Sequence, residues 1–211
     1  PIFETCMPKV WQKYTNSGSL IGLWEISEPL EELESSLKVE PLPELKNENR
    51  KRQFLGSRLL LQTLLEEVGV SQANLAKRDD GRPFLMDSPW ELSISHTDRM
   101  AAVALSKKPI GIDIELMSER IKRIQSKFMN QEELDELTDE NDLRWMHLVW
   151  SAKEALFKYH PERDFDFREH LCVHKASEIH LDAIIKKSLE PEHLRVFYHF
   201  FKQYVLTWTE I

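Results

Sequence analysis

Three carboxylates and a lysine recur in this chain at spacings suited to handling anionic groups. Gly111-Ile112-Asp113-Ile114-Glu115 alternates apolar and acidic residues. On a strand, Ile112 and Ile114 then share one face, and Asp113 and Glu115 share the other, about 7 Å apart. Two carboxylates so placed repel each other unless a cation or water separates them. An oxygen-only pair suits Mg²⁺ or Mn²⁺ rather than zinc. The same pattern also fits an amphipathic strand with a solvated acidic face. Farther on, His147, Ser151, Glu154 and Lys158 recur every three or four residues, which gives a polar stripe on a helix. Glu154 offers a third carboxylate for a metal, and Lys158 a cation for phosphate charge. The plainer alternative is a surface ion pair worth about 0.3 kcal/mol.

Three further groups bear on anions. In Ser93-Ile94-Ser95-His96-Thr97 alternation places Ser93 and Ser95 together, and His96 follows as the strand ends. Asp80-Gly81-Arg82-Pro83-Phe84 projects Arg82 from a turn, where a guanidinium can grip a phosphate bidentately or simply be solvated. Between Lys46 and Arg58 lie Lys46, Arg50, Lys51, Arg52 and Arg58 with the single acid Glu48, a positive patch or a solvated helix face. His170 and His174 are four apart with no acidic base between them in a strand-like stretch, and are set aside as metal ligands.

The elements that position these groups follow from periodicity. Leu20–Ile26 reads as an early strand. Pro41 and Pro43 interrupt a helical pattern, after which Glu44–Val68 reads as one long helix, leucine-rich in its second half and stopped by Gly69. Short strands are expected at Glu91–Ser95, Met100–Ser106 and Ile110–Glu115, the last two joined by Lys107-Lys108-Pro109. Gln131–Leu137 reads as a short acidic helix. Asn141–Tyr159 reads as a longer one, with an apolar stripe through Trp145, Leu148, Val149, Ala152, Leu156 and Tyr159. Leu194–Phe201 and Tyr204–Thr209 suit a hairpin. The order predicts an α+β fold of two similar halves, each a small antiparallel sheet packed with helices, with residues 1–108 as one half and 109–211 as the other.

Composition narrows the function classes. The chain has 211 residues, 41% apolar and 30% charged, with a net charge of −8, enough chain for a buried core. The acidic balance argues against general nucleic-acid binding. Two cysteines, Cys6 and Cys172, exclude a disulfide framework and a multi-cysteine zinc site. No apolar run approaches a membrane span, and residues 1–11 lack a secretory leader pattern, so a cytoplasmic setting is expected.

Taken in order, the basic helix, Gly81–Phe84, Ser93–Thr97, Gly111–Glu115 and Trp150–Lys158 resemble the 4′-phosphopantetheinyl transferase superfamily. Its paired signature is a Gly-[Ile/Val]-Asp-[Ile/Leu/Val]-Glu strand and, farther along, Trp-[Ser/Thr]-x-Lys-Glu-[Ala/Ser]-x-x-Lys. Asp113 and Glu154 lie 41 residues apart, and both halves match at every defined position. Gly81–Phe84 and Ser93–Thr97 resemble the larger, Sfp-type branch. The resemblance covers residues from about 50 to 158 well.

The resemblance implies a Mg²⁺-dependent enzyme that moves the phosphopantetheine arm of coenzyme A onto a serine of an apo acyl, peptidyl or aryl carrier protein, releasing 3′,5′-ADP. It implies Asp113, Glu115 and Glu154 as ligands of Mg²⁺, or of Mn²⁺. Glu154 becomes the general base, directly or through a metal-bound water, and Lys158 a contact to the pyrophosphate. Lys153 becomes a weaker phosphate contact. Arg58, Arg82, Ser95 and His96, with Arg50 or Arg52 nearby, become the cradle for the coenzyme's 3′-phosphate and adenine. The family docks its carrier at the region here spanning Phe128–Leu137, where Phe128 and Met129 offer an apolar contact before an acidic run. The short branch of the family is about half as long and completes its site by trimerising. This length resembles two such halves fused, so a monomer suffices. A carrier-binding pseudoenzyme and a metal-dependent phosphohydrolase are the competing readings.

Overall fold

A computed structural model describes residues 9–37, 45–71, 73–138 and 142–211. Cys6, Pro41, Pro43, Glu44 and Asn141 lie outside the described residues.

The first half is built on a four-stranded antiparallel sheet. Its strands are β1 (Lys9–Tyr14), β2 (Leu20–Glu25), β5 (Glu91–Thr97) and β6 (Met100–Ser106), in the order β1-β2-β6-β5. The helices α1 (Leu30–Ser36) and α2 (Glu48–Glu67) follow β2, and a small hairpin of β3 (Asn74–Lys77) and β4 (Pro83–Met86) precedes β5. The helix expected from Glu44 begins at Glu48 because the Asn47 side chain accepts the Arg50 amide and sets the N-terminus.

The second half is a five-stranded antiparallel sheet. It contains β7 (Ile112–Leu116), β8 (Leu171–Lys175), β9 (His180–Ile185), β10 (Glu192–Phe201) and β11 (Tyr204–Glu210), in the order β7-β11-β10-β9-β8. A 3₁₀ turn (Glu119–Arg123), the short helices α3 (Gln125–Phe128) and α4 (Gln131–Asp135), and the long α5 (Asp142–Tyr159) lie between β7 and β8. The expected hairpin is present as β10 and β11, paired from Arg195–Glu210 to Phe201–Tyr204.

Alternation along the strands divides the core into three layers. Leu20, Trp24, Ala101, Val103 and Leu105 face α2. Their neighbours Ile21, Leu23, Met100, Ala102 and Ala104 meet Ile112, Ile114, Leu206 and Trp208 of the second sheet. On the far side of that sheet, Val149, Ala152 and Leu156 of α5 pack with Val173, Leu181, Val196 and Val205. Every residue of β6 is buried because the strand is covered on both faces, which is why it reads as an unbroken apolar run. The order α2, first sheet, second sheet, α5 is the α+β architecture of two sheet-and-helix modules that the sequence leads to. Among the described residues no helix is long and apolar enough to cross a membrane.

Candidate active site

Two sheet edges meet to make the site. β5 ends the first sheet and β7 ends the second, and they lie side by side. Ser93 Oγ accepts the Ile112 amide at 3.0 Å, which sets the register between them. Ser95, two residues on and on the same face, donates to Asp113 Oδ1 at 2.8 Å. Lys158, from the last turn of α5, donates to the same Oδ1 at 2.7 Å and to Ser95 Oγ at 2.9 Å. Asp113 is only 3% exposed. Its Oδ2 is buried without a hydrogen-bond partner.

Gly111 brings α5 this close. A Cβ there would lie 1.8 Å from the Ala155 carbonyl oxygen and 2.8 Å from the Tyr159 nitrogen. Only a residue without a side chain lets the start of β7 lie against the helix backbone. Thr209 Oγ1 accepts the Gly111 amide at 2.9 Å and holds the segment in place.

Glu115 and Glu154 share the field of Asp113. Trp150 Nε1 donates to Glu115 Oε1 at 3.0 Å. Burial, and after it the negative charge of Asp113, push the Glu115 carboxyl up to about 7. Burial and then Asp113 also raise Glu154, against the pull of Lys158 and Arg163. Three carboxylates in one another's field, one with an orphaned buried oxygen, form an oxygen-only donor set that fits Mg²⁺ or Mn²⁺. Among the described residues no group of three such side chains is already arranged around a metal position. A cation would have to draw Glu115 and Glu154 toward Asp113.

A cleft of about 580 Å³ opens beside this network, lined by Asp80, Arg82, Ile94, Glu154, Lys158 and Arg163 among others. That size suits an extended small molecule. Its walls come from the β3–β4 link, from β5 and from the end of α5, so both halves contribute. Asp80 and Arg163 were not singled out from the sequence. The Asp-Gly turn marks the first, and only its place just beyond α5 marks the second.

The expected coenzyme cradle is only partly gathered. His96 is exposed at the end of β5, where lost solvent, then Lys158, and also Arg58, hold its imidazole below its ordinary pKa. Arg58 is half-buried over the Phe54 ring at 4.8 Å, and burial lowers its pKa. Ser95 faces Asp113 and Lys158. Arg52 instead donates to the Glu28 carbonyl at 2.8 Å in a separate hollow with Glu48, Asp98 and Arg99. Arg50 is exposed on the first turn of α2. The Arg82 guanidinium, expected at a phosphate, is bonded to Asp80 and to carbonyls at the end of α5.

Three expectations are corrected. Lys153 is fully buried and cannot reach the cleft; its ammonium donates to Glu133 at 2.7 Å and to the Phe128 and Phe167 carbonyls at 2.6 and 2.9 Å. It sits between Val149 and Leu156 on the apolar stripe, so α5 turns it inward. Phe128 and Met129 are core residues, at 0% and 1% exposure, and offer no apolar contact to a partner. Phe128 packs edge-on against Trp150 at 5.2 Å. The polar stripe through His147 and Ser151 is likewise buried and not set apart from the core. His147 Nε2 accepts the Ser118 amide at 2.8 Å, and Ser151 bonds Thr207 at 2.9 Å under β11.

Comparison with known proteins places both halves of the chain in one superfamily. A family model described as the 4′-phosphopantetheinyl transferase superfamily matches residues 109–209. A second, the 4′-phosphopantetheinyl transferase N-terminal domain, matches residues 45–106. A 4′-phosphopantetheinyl transferase of Aneurinibacillus migulanus is 30% identical over 112 residues, 51% of this chain and 47% of the relative. The Sfp protein of Bacillus subtilis is 29% identical over 118 residues, 53% of this chain and 52% of the relative. A putative 4′-phosphopantetheinyl transferase of Haemophilus influenzae is 32% identical over 110 residues, 47% of each chain. The chain thus spans about half the length of the curated relatives it matches.

Proposed function

The chain belongs to the 4′-phosphopantetheinyl transferase superfamily, and on that premise we propose that it moves the phosphopantetheine arm of coenzyme A onto a carrier-protein serine, releasing 3′,5′-ADP. The observation that carries this reading is the Ser95–Asp113–Lys158 network at the cleft, built from both halves and leaving one buried carboxylate oxygen unpartnered.

The reaction is attack by a serine hydroxyl on the β-phosphorus of the coenzyme pyrophosphate. A phosphorus–oxygen bond forms to serine, and the bond to the bridging oxygen of the nucleotide breaks. Asp113, Glu115 and Glu154 would hold Mg²⁺, which when bound neutralises charge on the pyrophosphate. Glu154 takes the serine proton, directly or through water. Lys158 faces the pyrophosphate and meets the negative charge growing on the departing nucleotide. His96 and Arg58 face the coenzyme's distal phosphate, with Ser95 fixing the strand beneath them.

In this reading residues 1–108 supply the cradle and residues 109–211 the carboxylates. One chain then carries a whole site, acts as a monomer in the cytoplasm, and falls in the Sfp-type branch. The carriers are acyl or peptidyl carrier proteins. With a net charge of −8 the enzyme steers an acidic carrier poorly at long range, so docking rests on local surface.

The test is incubation with coenzyme A, Mg²⁺ and a panel of apo carriers, fatty-acid type against peptide- or polyketide-synthetase type. The expected result is the mass of one phosphopantetheine group added to a carrier serine. Coenzyme A binding with no modified carrier would point to a pseudoenzyme. Phosphate release from coenzyme A without any carrier would point to a phosphohydrolase.

A further inference from the structure

Arg82 has five N–H donors on three nitrogens, and each nitrogen donates to a protein oxygen. Nε and Nη2 both approach Asp80 Oδ2 at 2.6 Å. Nη1 points to the Lys158 and His160 carbonyls at 3.4 and 3.0 Å, and Nη2 to the Pro161 carbonyl at 2.9 Å. These carbonyls belong to the last turn of α5 and the residues just beyond it, where a helix leaves its final acceptors unsatisfied. Arg163 doubles the arrangement. Its Nε donates to Asp80 Oδ2 at 3.1 Å and its Nη1 to the Phe157 carbonyl at 2.7 Å. Two guanidinium groups held by one carboxylate therefore cap the negative end of α5.

Asp80 is itself fixed. Its Oδ1 accepts the Arg82 amide at 3.0 Å, closing a side-chain turn in the β3–β4 link. Gly81, at φ 84°, lets the chain reverse there. The Arg78 amide returns to the Arg82 carbonyl at 2.8 Å. A rigid turn of the first half is thus bonded to the end of the helix that carries Glu154 and Lys158. A phosphate could claim the Arg82 fork only by displacing backbone carbonyls from it.

We propose that Arg82 is a positioning residue, a pin aligned by Asp80 and reinforced by Arg163, which holds the last turn of α5 so that Lys158 meets Asp113, and that it is not the seat of the coenzyme's 3′-phosphate. The proposal rests on the reading of the cleft as a coenzyme A site. It departs from the phosphate role that the sequence resemblance implies for Arg82.

The test compares Arg82→Ala, Arg82→Lys and Asp80→Asn with wild type, using coenzyme A and 3′-dephospho-coenzyme A as donors. A pin predicts that kcat falls about tenfold or more with either donor, while the ratio of their KM values stays at the wild-type figure. Arg82→Lys should fail as badly as Arg82→Ala, because one ammonium cannot span three carbonyls and a carboxylate. A phosphate seat predicts the reverse: a raised KM for coenzyme A alone, lost discrimination between donors, and near-normal behaviour of Arg82→Lys. That result overturns the proposal. Hydrogen exchange at amides 156–160 of the substrate-free protein gives a readout independent of turnover. Faster exchange there in all three variants supports the pin, and unchanged exchange overturns it. Should wild type modify no carrier, the proposed function falls, and the exchange result still decides the pin.

Discussion

The two long helices cover the outer faces of the two sheets, yet they use their polar residues differently. α2 turns its basic residues outward. There Arg52 pairs with Glu48 one turn back, Lys51 pairs with Glu34, and Arg50 is exposed. α5 turns its polar residues inward, onto β7 and β11, where Ser151 meets Thr207 and Lys158 meets Asp113. A charge on α2 is screened by water and contributes little beyond solubility. A charge on α5 lies at a sheet edge, away from bulk solvent, where each partner shifts its chemistry. The basic patch most visible in the sequence therefore supplies one residue near the site, Arg58, while α5, with no such cluster of basic residues, supplies Glu154 and Lys158, the pair proposed to do the chemistry.

The largest effect should come from cutting the inward network of α5. Asp113→Ala removes both the oxygen that gathers Ser95 and Lys158 and the buried Oδ2 that has no hydrogen-bond partner. Transfer should fall by about 10³-fold or more, with circular dichroism unchanged. Glu154→Gln should act alike through the base. Near-wild-type rates in either variant would return α5 to the status of α2, a helix that merely covers a sheet.

Next comes a contrast within α5. Lys153 and Lys158 are five residues apart, and the first is fully buried against Glu133. Lys153→Met leaves the Glu133 carboxylate buried without its cation and should cost about 3–5 kcal/mol of stability in urea unfolding. Its KM for coenzyme A should match wild type wherever the variant is folded. Lys158→Met, at a side chain 24% exposed, should change stability far less and abolish most transfer. A raised KM in Lys153→Met would restore it as a phosphate contact.

A pair of glycines sharpens the comparison of the two helices. Gly111→Ala drives a Cβ into the Ala155 carbonyl, backbone against backbone, so α5 must move off β7. The expected cost is about 2–3 kcal/mol, with transfer reduced about 100-fold by misplacement of Lys158 and Glu154. Gly56→Ala on α2 meets only the Ile26 side chain, at 2.7 Å. Ile26 is buried and β-branched, so overpacking should cost about 1–3 kcal/mol, partly offset by the roughly 1 kcal/mol by which alanine favours helix, with transfer little affected. Equal losses of transfer in the two variants would show that site geometry does not depend on the α5–β7 approach.

Much of this was legible in the sequence where local pattern and spacing agree. The doubly covered β6 shows its unbroken apolar run, and Asp113 and Glu115 show alternation. α5 shows its apolar stripe. The strands β1 and β9 were not legible, and β8 showed only as the strand-like stretch around His174. β1 carries lysines and glutamine at a sheet edge, and β9 mixes His180 and Asp182 with its apolar residues. Lys153 was misassigned because its partner, Glu133, sits on a separate short helix whose approach no local pattern reveals. Its place between Val149 and Leu156 was the available signal. Arg82 was assigned a ligand for the same reason: the carbonyls that occupy it lie more than seventy residues away, at 158, 160 and 161.

The smallest effect should come from the pH dependence of the link between the halves. Asp80 is held down to about 2, first by the Arg82 amide and then by the Arg163 and Arg82 side chains. Its ordinary value is 3.8. A carboxylate with a depressed pKa binds fewer protons folded than unfolded, so its contribution is complete above about pH 4 and fades as the pH falls toward 2. Asp80→Asn should therefore melt below wild type at pH 6, and the two melting curves should converge near pH 2. The gap will be modest, since the pair is partly solvated. A constant gap across that range would mean that Asp80 acts through the shape of its turn and not through its charge, leaving Arg82 and Arg163 to cap α5 unaided. A gap that closes would tie the end of α5 to a single carboxylate of the opposite half, a connection with no counterpart among the solvated pairs of α2.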